Sequence, residues 1–162
     1  MKTFRWPVLS FLALALGLSS ALAACRRPTP PSASKAPAPP PVLVRFERTA
    51  CYGPCPVDVL TVFADGRLRY EGRENAPRQG QFGGQLSPSE QAALVRAFEE
   101  ARFFDFATSY KSRATDLPTY YLTFSQAGRT HKVTDYDGAP AALNALEDQL
   151  ESIIDAPRWQ PE

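Results

Sequence analysis

Three cysteines and a single histidine are the residues of this 162-residue chain whose chemistry is most specific. Cys51 and Cys55 lie four positions apart, and Gly53 and Pro54 between them allow a tight turn. Thiols at this spacing form a disulfide bond in an oxidising compartment. Elsewhere they exchange disulfides with other proteins or bind a soft metal ion. The compartment therefore decides between these chemistries.

The first 24 residues have the pattern of an export signal. Lys2 and Arg5 give a positive start, residues 8–18 form an uncharged apolar run, and small residues follow. This order is typical of a secretory signal peptide. About eleven apolar residues are too few to span a hydrocarbon core of about 30 Å as a helix. We therefore predict that residues 1–24 are removed during export.

The sequence Leu22-Ala23-Ala24-Cys25 resembles the lipobox of bacterial lipoproteins. The resemblance implies cleavage before Cys25, a lipid on the Cys25 thiol, and a membrane partner reached through that lipid. Two or more acyl chains hold a protein on a membrane almost irreversibly. Arg26 and Arg27 follow without the aspartate that retains many such proteins at the inner membrane. In a cell with two membranes, this similarity implies the periplasmic side of the outer membrane.

Composition divides the remaining chain into a linker and one domain. Residues 26–41 include seven prolines among sixteen residues, which favours an extended spacer. We expect residues 25–41 to be the lipidated cysteine and linker, 42–157 a single globular domain, and 158–162 a tail. Without Lys2 and Arg5 the chain has 16 basic and 17 acidic residues, a balance that does not favour nucleic acid binding.

The order of apolar patterns predicts an α+β domain. Residues 42–48 alternate as an N-terminal strand, and two hairpins are expected around residues 64–66 and 126–128. Residues 79–86 are glycine-rich and fit either an edge strand or a loop. Ser87 and Glu90 form a capping box before one helix, and a second helix runs to about Ile154. We expect an antiparallel sheet with two helices packed on one face.

The run Cys51-Tyr52-Gly53-Pro54-Cys55-Pro56 carries a family resemblance. Together with Asp65-Gly66, Tyr70-Glu71-Gly72 and Thr115-Asp116-Leu117-Pro118-Thr119, it is similar to a bacterial domain family of unknown function. Many members of that family are lipoproteins with a Cys-[Tyr/Phe]-Gly-x-Cys-Pro opening. The resemblance covers residues 42–156 and implies no activity, ligand or catalytic residue.

Two further interpretations of Cys51 and Cys55 stay open beside a structural disulfide. The spacing resembles the copper site of Sco-type assembly proteins, in which two thiolates and a distant histidine bind copper; His131 would supply the imidazole. Those proteins have a helix after the motif, whereas residues 57–63 here predict a strand. The other interpretation is dithiol exchange. We favour the structural disulfide because the domain is predicted to be exported.

No catalytic motif supports an enzyme. Nucleophile elbow, phosphate loop, zinc-protease and dinucleotide patterns do not occur in the sequence. Asp135-Tyr136-Asp137-Gly138 matches part of a calcium loop but has no closing glutamate at the right spacing. We therefore expect no cofactor, and a non-enzymatic module with an envelope protein as a possible partner. The alternative is a thiol-redox or copper-handling protein.

Overall fold

A computed structural model describes residues 38–162 of the chain. The predicted signal peptide, the predicted lipidation site Cys25 and the linker up to residue 37 lie outside the described residues. Among the residues described, no helix is long and apolar enough to cross a membrane.

The fold of residues 38–162 is α+β, with a mostly antiparallel sheet of eight strands and two helices. The strand order is β5-β7-β6-β1-β2-β3-β4-β8, and only the β5–β7 pair is parallel. The strands are β1 (Val42–Arg48), β2 (Asp58–Phe63), β3 (Arg67–Gly72), β4 (Gly80–Gln85), β5 (Ser109–Tyr110), β6 (Tyr120–Gln126), β7 (Arg129–Asp135) and β8 (Gln160–Pro161).

The N-terminal strand β1 lies at the centre of the sheet, between β2 and β6. Val44, Phe46 and Arg48 are buried, whereas Arg45 between them is exposed. Successive side chains of a strand point to opposite faces, so this alternation separates a core face from an open face. Phe46 pairs with Leu60 on one side and with Leu122 on the other, which extends the core face across the neighbouring strands.

The helices are α1 (Pro88–Glu100) and α2 (Ala141–Asp155). The capping box that the sequence predicts is present: Glu90 N donates to Ser87 Oγ, and Ser87 N donates to Glu90 Oε2. These bonds satisfy amide groups that have no partner within the helix. A short 3₁₀ turn, Phe103–Asp105, follows α1.

One hydrophobic cluster contains the buried side chains of the strands and of both helices. Phe98 of α1 stacks on Phe124 of β6 with 4.4 Å between ring centroids. The largest side chains buried almost completely are Tyr70, Phe46, Phe98, Phe103 and Phe124. Aromatic side chains therefore provide much of the apolar surface that this small domain removes from water.

The structure corrects the predicted number of strands. The sequence predicts five strands and leaves residues 79–86 as an edge strand or a loop, whereas β4, β5 and β8 all join the sheet. β5 and β8 are two residues long, which is too short for a periodic signal, and β4 has three glycines in place of an alternating pattern.

The predicted tail, residues 158–162, is part of the fold. Trp159 is buried, its indole nitrogen donates to the Ile154 carbonyl at 2.8 Å, and its ring lies 5.4 Å from that of Tyr70. β8 then pairs with Phe82 and Gly83 of β4. The prediction of a tail was wrong because Pro157 ends the helical pattern while the chain continues along the sheet edge.

Candidate functional site

The predicted cysteine pair lies in the loop between β1 and β2. Cys51 and Cys55 are within disulfide distance and are joined, with 5.6 Å between their Cα atoms. Asn75 Nδ2 donates to the Cys55 carbonyl at 3.4 Å, and Tyr52 N donates to the Asp116 carbonyl at 3.2 Å. The five-residue loop is therefore held by a covalent bond and by two neighbouring segments.

Tyr52, in the middle of this loop, is 91% exposed. Leu117 is also exposed, and it lies next to the Asp116 carbonyl that accepts the Tyr52 amide. Only three large hydrophobic side chains are exposed in the described part of the chain, and two of them are Tyr52 and Leu117. We call residues 51–55 and 115–118 the tip. A solvent-exposed aromatic side chain on a disulfide-bonded loop is typical of a protein recognition surface.

A buried ion pair lies on the core face next to the tip. Arg48 donates from Nε and Nη2 to both carboxylate oxygens of Asp58, at 2.9 and 2.6 Å. The Tyr70 hydroxyl donates to Asp58 at 2.8 Å, and Glu151 of α2 lies 3.0 Å from Arg48 Nη1. Burial alone would lower the pKa of Arg48, but these carboxylates outweigh it and raise that pKa. Burial and the bond to Asp58 raise the pKa of Tyr70.

Glu147 is a buried carboxyl group of α2, and the described part of the chain provides no cationic partner for it. The residue is 5% exposed, and its Oε1 atom has no hydrogen-bond partner. Burial, followed by the charges of Asp135, Glu151 and Asp148, raises the pKa of Glu147 to about 8. Burial and then Asp137 also raise the pKa of Asp135, whose Oδ1 has no partner. This end of the core face therefore combines a satisfied ion pair with unsatisfied carboxyl groups.

A small cleft of about 110 Å³ connects this region with the tip. Its lining residues are Leu117, Pro118, Tyr120, Asp135 and Tyr136. Burial, then the charge of Glu151, raises the pKa of Tyr120 to about 12. The cleft therefore presents aromatic rings and a carboxyl group, and it adjoins the tip through Leu117.

The structure does not bring His131 to the cysteine pair. His131 pairs with Phe124 on β6, and Phe124 pairs with Val44 near the start of β1. The cysteines follow the end of β1, at the opposite end of the sheet. His131 Nε2 instead lies 2.9 Å from the Phe106 carbonyl. Within residues 38–162 no three His, Cys, Asp or Glu residues are grouped so that they could hold a metal ion.

The partial calcium motif serves the connection between β7 and α2. Asp137 accepts a hydrogen bond from the Ser112 hydroxyl, and Gly138 has a φ of 86°. α2 begins at Ala141, after Pro140 as its N-cap. Asp137 is therefore accounted for by a turn that ties the loop after β5 to the end of β7.

Sequence reasoning missed the buried ion pair, although a signal for it exists. Arg48 occupies the third position of an alternating set whose first two members are Val44 and Phe46. A charged residue at a position that predicts burial requires a buried partner of opposite charge. Asp58, at the start of an apolar strand, is such a partner.

Comparison with known proteins identifies the family. No curated protein matches the chain. A family model described as a domain of unknown function, DUF6438, matches residues 42–154, which include the cysteine loop, the ion pair, α1 and all of α2 except its last residue. The chain therefore belongs to the DUF6438 family.

Proposed function

We propose that this protein is a lipid-anchored lipoprotein of the cell envelope whose domain is a non-enzymatic interaction module. Support for the anchor comes from the lipobox resemblance at Cys25 and from the proline-rich spacer that follows it. In a cell with two membranes, the domain would be on the periplasmic side of the outer membrane. Its partner would be another protein of the envelope.

The exposure of Tyr52 carries the proposal for the domain. A tyrosine presents a large rigid surface and one hydroxyl group, and it loses little conformational entropy when it binds. The loop is already closed by Cys51 and Cys55, so less entropy is lost when a partner orders it. Leu117 adds apolar area beside it. The tip therefore has the composition of a small preorganised binding surface.

The position of the tip fits a partner that approaches from the side away from the linker. The linker enters β1 at Val42, whereas the tip follows Arg48 at the other end of the same strand. A seven-residue strand is about 20 Å long. A spacer that lifts the domain from the membrane would leave the tip free to meet a partner.

We also infer that both helices cover the core face and leave the other face of the sheet open. Phe98 of α1 stacks on Phe124, and Glu151 of α2 bonds to Arg48. Phe124 and Arg48 point to the same side, because Phe124 pairs with Val44 and Val44 lies four residues from Arg48. A single covered face leaves both the tip and the open face available for binding.

The thiol-redox and copper alternatives have less support. Copper binding in the predicted way needs His131 beside the cysteines, but His131 lies at the other end of the sheet. Thiol exchange remains a chemical property that Cys51 and Cys55 could have, and the reduction potential of the pair tests it.

The anchor is tested by mass spectrometry of the protein purified from its own membrane. We expect a chain that begins at Cys25 and carries diacylglyceryl on the thiol, and a Cys25→Ala variant that leaves the membrane fraction. An unmodified Cys25, or a Cys25→Ala variant that stays membrane-bound, would contradict the anchor.

The tip is tested by site-specific photo-crosslinking in intact cells. A photoreactive phenylalanine analogue in place of Tyr52 should give a defined crosslinked species, which Leu117→Ala should reduce. The control places the same analogue at Arg96, an exposed residue of α1. Equal crosslinking from both positions, or none from position 52, would overturn the proposal.

A further inference from the structure

A second surface, on the open face of the sheet, concentrates arginine side chains. A groove of about 460 Å³ lies along β1, β2 and β3. We call it the basic groove and define it by five of its lining residues, Arg45, Thr61, Phe63, Arg67 and Arg69. It is separate from the tip, because none of residues 51–55 and 115–118 lines it. Pro39 and Pro40, at the end of the linker, also line it.

Strand register brings these arginines together from distant positions in the sequence. Arg45 pairs with Thr61 on β2, and Thr61 pairs with Arg69 on β3. Two strand spacings, about 9.6 Å, therefore separate the backbones of Arg45 and Arg69. The side chains of Arg45 and Arg69 are long enough to bind one anion between them across that distance. Arg67, two residues before Arg69 on β3, points to the same face.

The three guanidinium groups are accessible. The side chains of Arg45, Arg67 and Arg69 are 48%, 57% and 59% exposed. Their ion-pair partners are Glu47 at 3.1 Å, Asp65 at 2.8 Å and Glu162 at 3.6 Å, all of them on the surface. Exposed ion pairs of this kind contribute little to stability. A ligand with a higher charge can therefore replace these carboxylates.

Two acidic residues, Glu71 and Glu162, also line the basic groove. Arg73 holds Glu71 through two hydrogen bonds, from Nε at 3.1 Å and Nη2 at 2.9 Å. The charge of Glu71 is therefore paired outside the set of three arginines. Glu162 is the ion-pair partner of Arg69 and reduces the positive potential of the groove at that arginine.

The groove also contains apolar surface. Val42 is exposed at its edge, and Arg67 lies over the ring of Phe63 with 5.7 Å to the centroid. Guanidinium groups form two parallel hydrogen bonds with phosphate oxygens, and arginine is favoured for this recognition over lysine. Arginines beside apolar side chains suit a phosphate that carries an apolar group.

We propose that the basic groove binds a phosphate group, with Arg45, Arg67 and Arg69 as its ligands. The phosphate belongs either to the headgroup of an anionic lipid or to a soluble phosphate compound. The position beside Pro39 and Pro40 favours the lipid, since the linker from the proposed anchor enters the domain at this end. The site itself does not depend on the tip or on a protein partner.

The test follows the side-chain Nε–Hε resonances of the arginines by NMR, with the full chain in nonionic detergent micelles. The probes are pyrophosphate, dihexanoyl phosphatidic acid and, as a zwitterionic control, dihexanoyl phosphatidylcholine. We expect saturable shifts of Arg45, Arg67 and Arg69 with phosphatidic acid and none with phosphatidylcholine. Arg45→Ala and Arg69→Ala should each weaken binding about tenfold, because each removes a charge-assisted hydrogen bond.

The outcomes distinguish the two sources of the phosphate group, a lipid headgroup and a soluble compound. Saturation by pyrophosphate as well as by phosphatidic acid supports a soluble phosphate compound, and saturation by phosphatidic acid alone supports a lipid headgroup. The matched control is Arg102→Ala, which removes an exposed arginine paired with Asp105 and should leave the affinity unchanged. The proposal is overturned if neither probe saturates, or if Arg102→Ala weakens binding as much as Arg69→Ala.

Discussion

Arginines occupy two contrasting settings on the two faces of the sheet. Arg48 on the core face is 6% exposed, and its three guanidinium nitrogens face Asp58 and Glu151. Arg45, three residues earlier, is on the open face with a single exposed partner, Glu47. The same residue type is therefore fixed within the fold in one place and available to a ligand in the other.

The difference shows how burial determines the role of a charge. A buried charge is tolerated only with partners, so removal of one partner leaves the other unpaired at a large cost. An exposed charge is stabilised by water whether or not it is paired. Open-face arginines can thus be changed with little effect on folding, which makes their effect on binding interpretable.

The largest expected effect follows from truncation of Arg48. Arg48→Ala leaves Asp58 buried and unpaired, and we expect the free energy of unfolding to fall by about 3–5 kcal/mol. The matched control is Arg45→Ala on the same strand, for which we expect a loss of less than about 1 kcal/mol. Urea unfolding of both variants measures the difference. Similar losses of stability in Arg48→Ala and Arg45→Ala would contradict the conclusion that only the buried arginine is required for folding.

Glu147 extends this contrast to a buried carboxyl group, because it is buried as Arg48 is but has no partner of opposite charge within residues 38–162. A carboxyl group whose pKa is raised on folding to about 8 destabilises the folded state progressively as pH rises from about 4 to about 8. Glu147→Gln should remove this dependence and stabilise the protein at pH 8, by on the order of 1–2 kcal/mol. At pH 4 the gain should vanish.

The control for Glu147→Gln is Glu100→Gln, which removes an exposed carboxylate of the other helix, α1. Thermal or urea unfolding at several pH values compares the two variants. Only Glu147→Gln should stabilise the protein at pH 8. A Glu147→Gln variant that is less stable than the parent protein at pH 8 would show that the buried carboxylate has a partner in solution.

Glu90 gives the smallest expected effect, because it is an exposed carboxylate. The bond from Arg158, followed by the bonds at Ser87, lowers the pKa of Glu90 to about 2. Its contribution to stability is therefore present above about pH 4 and is lost as pH falls towards 2. Arg158→Ala should move the pKa of Glu90 upwards, towards its ordinary value. Carbon-detected NMR titration of the carboxyl group measures this, and an unchanged pKa would contradict the assigned cause.

Local patterns in the sequence predict the elements that have a periodicity. Val44 and Phe46 alternate along β1, and the spacing of Ser87 and Glu90 predicts where α1 begins. β5 and β8 are each two residues long, which is too short to show a periodicity. They form because of the strands that lie beside them in the folded domain. Trp159 is buried for the same reason, since Tyr70 lies far away in the sequence.

The candidate sites divide in a similar way. The cysteine loop is visible as a motif, because Cys51 and Cys55 are neighbours along the chain. The basic groove is not, because Arg45 and Arg69 meet only through the pairing of both with Thr61. The contact between Tyr52 and the segment around Leu117 also depends on a hydrogen bond between distant loops. The basic groove and the contact at the tip therefore depend on pairing between distant segments, which local sequence patterns do not predict.

We propose that Cys51 and Cys55 hold a recognition loop in place and do not themselves react. The reduction potential of this pair tests it most directly, measured on the purified full chain in detergent by alkylation and mass spectrometry across a series of redox buffers. We predict a potential below about −300 mV, the range of structural disulfides in secreted proteins. A value between about −120 and −230 mV, where exchange catalysts lie, would contradict the claim and make the pair a working redox site.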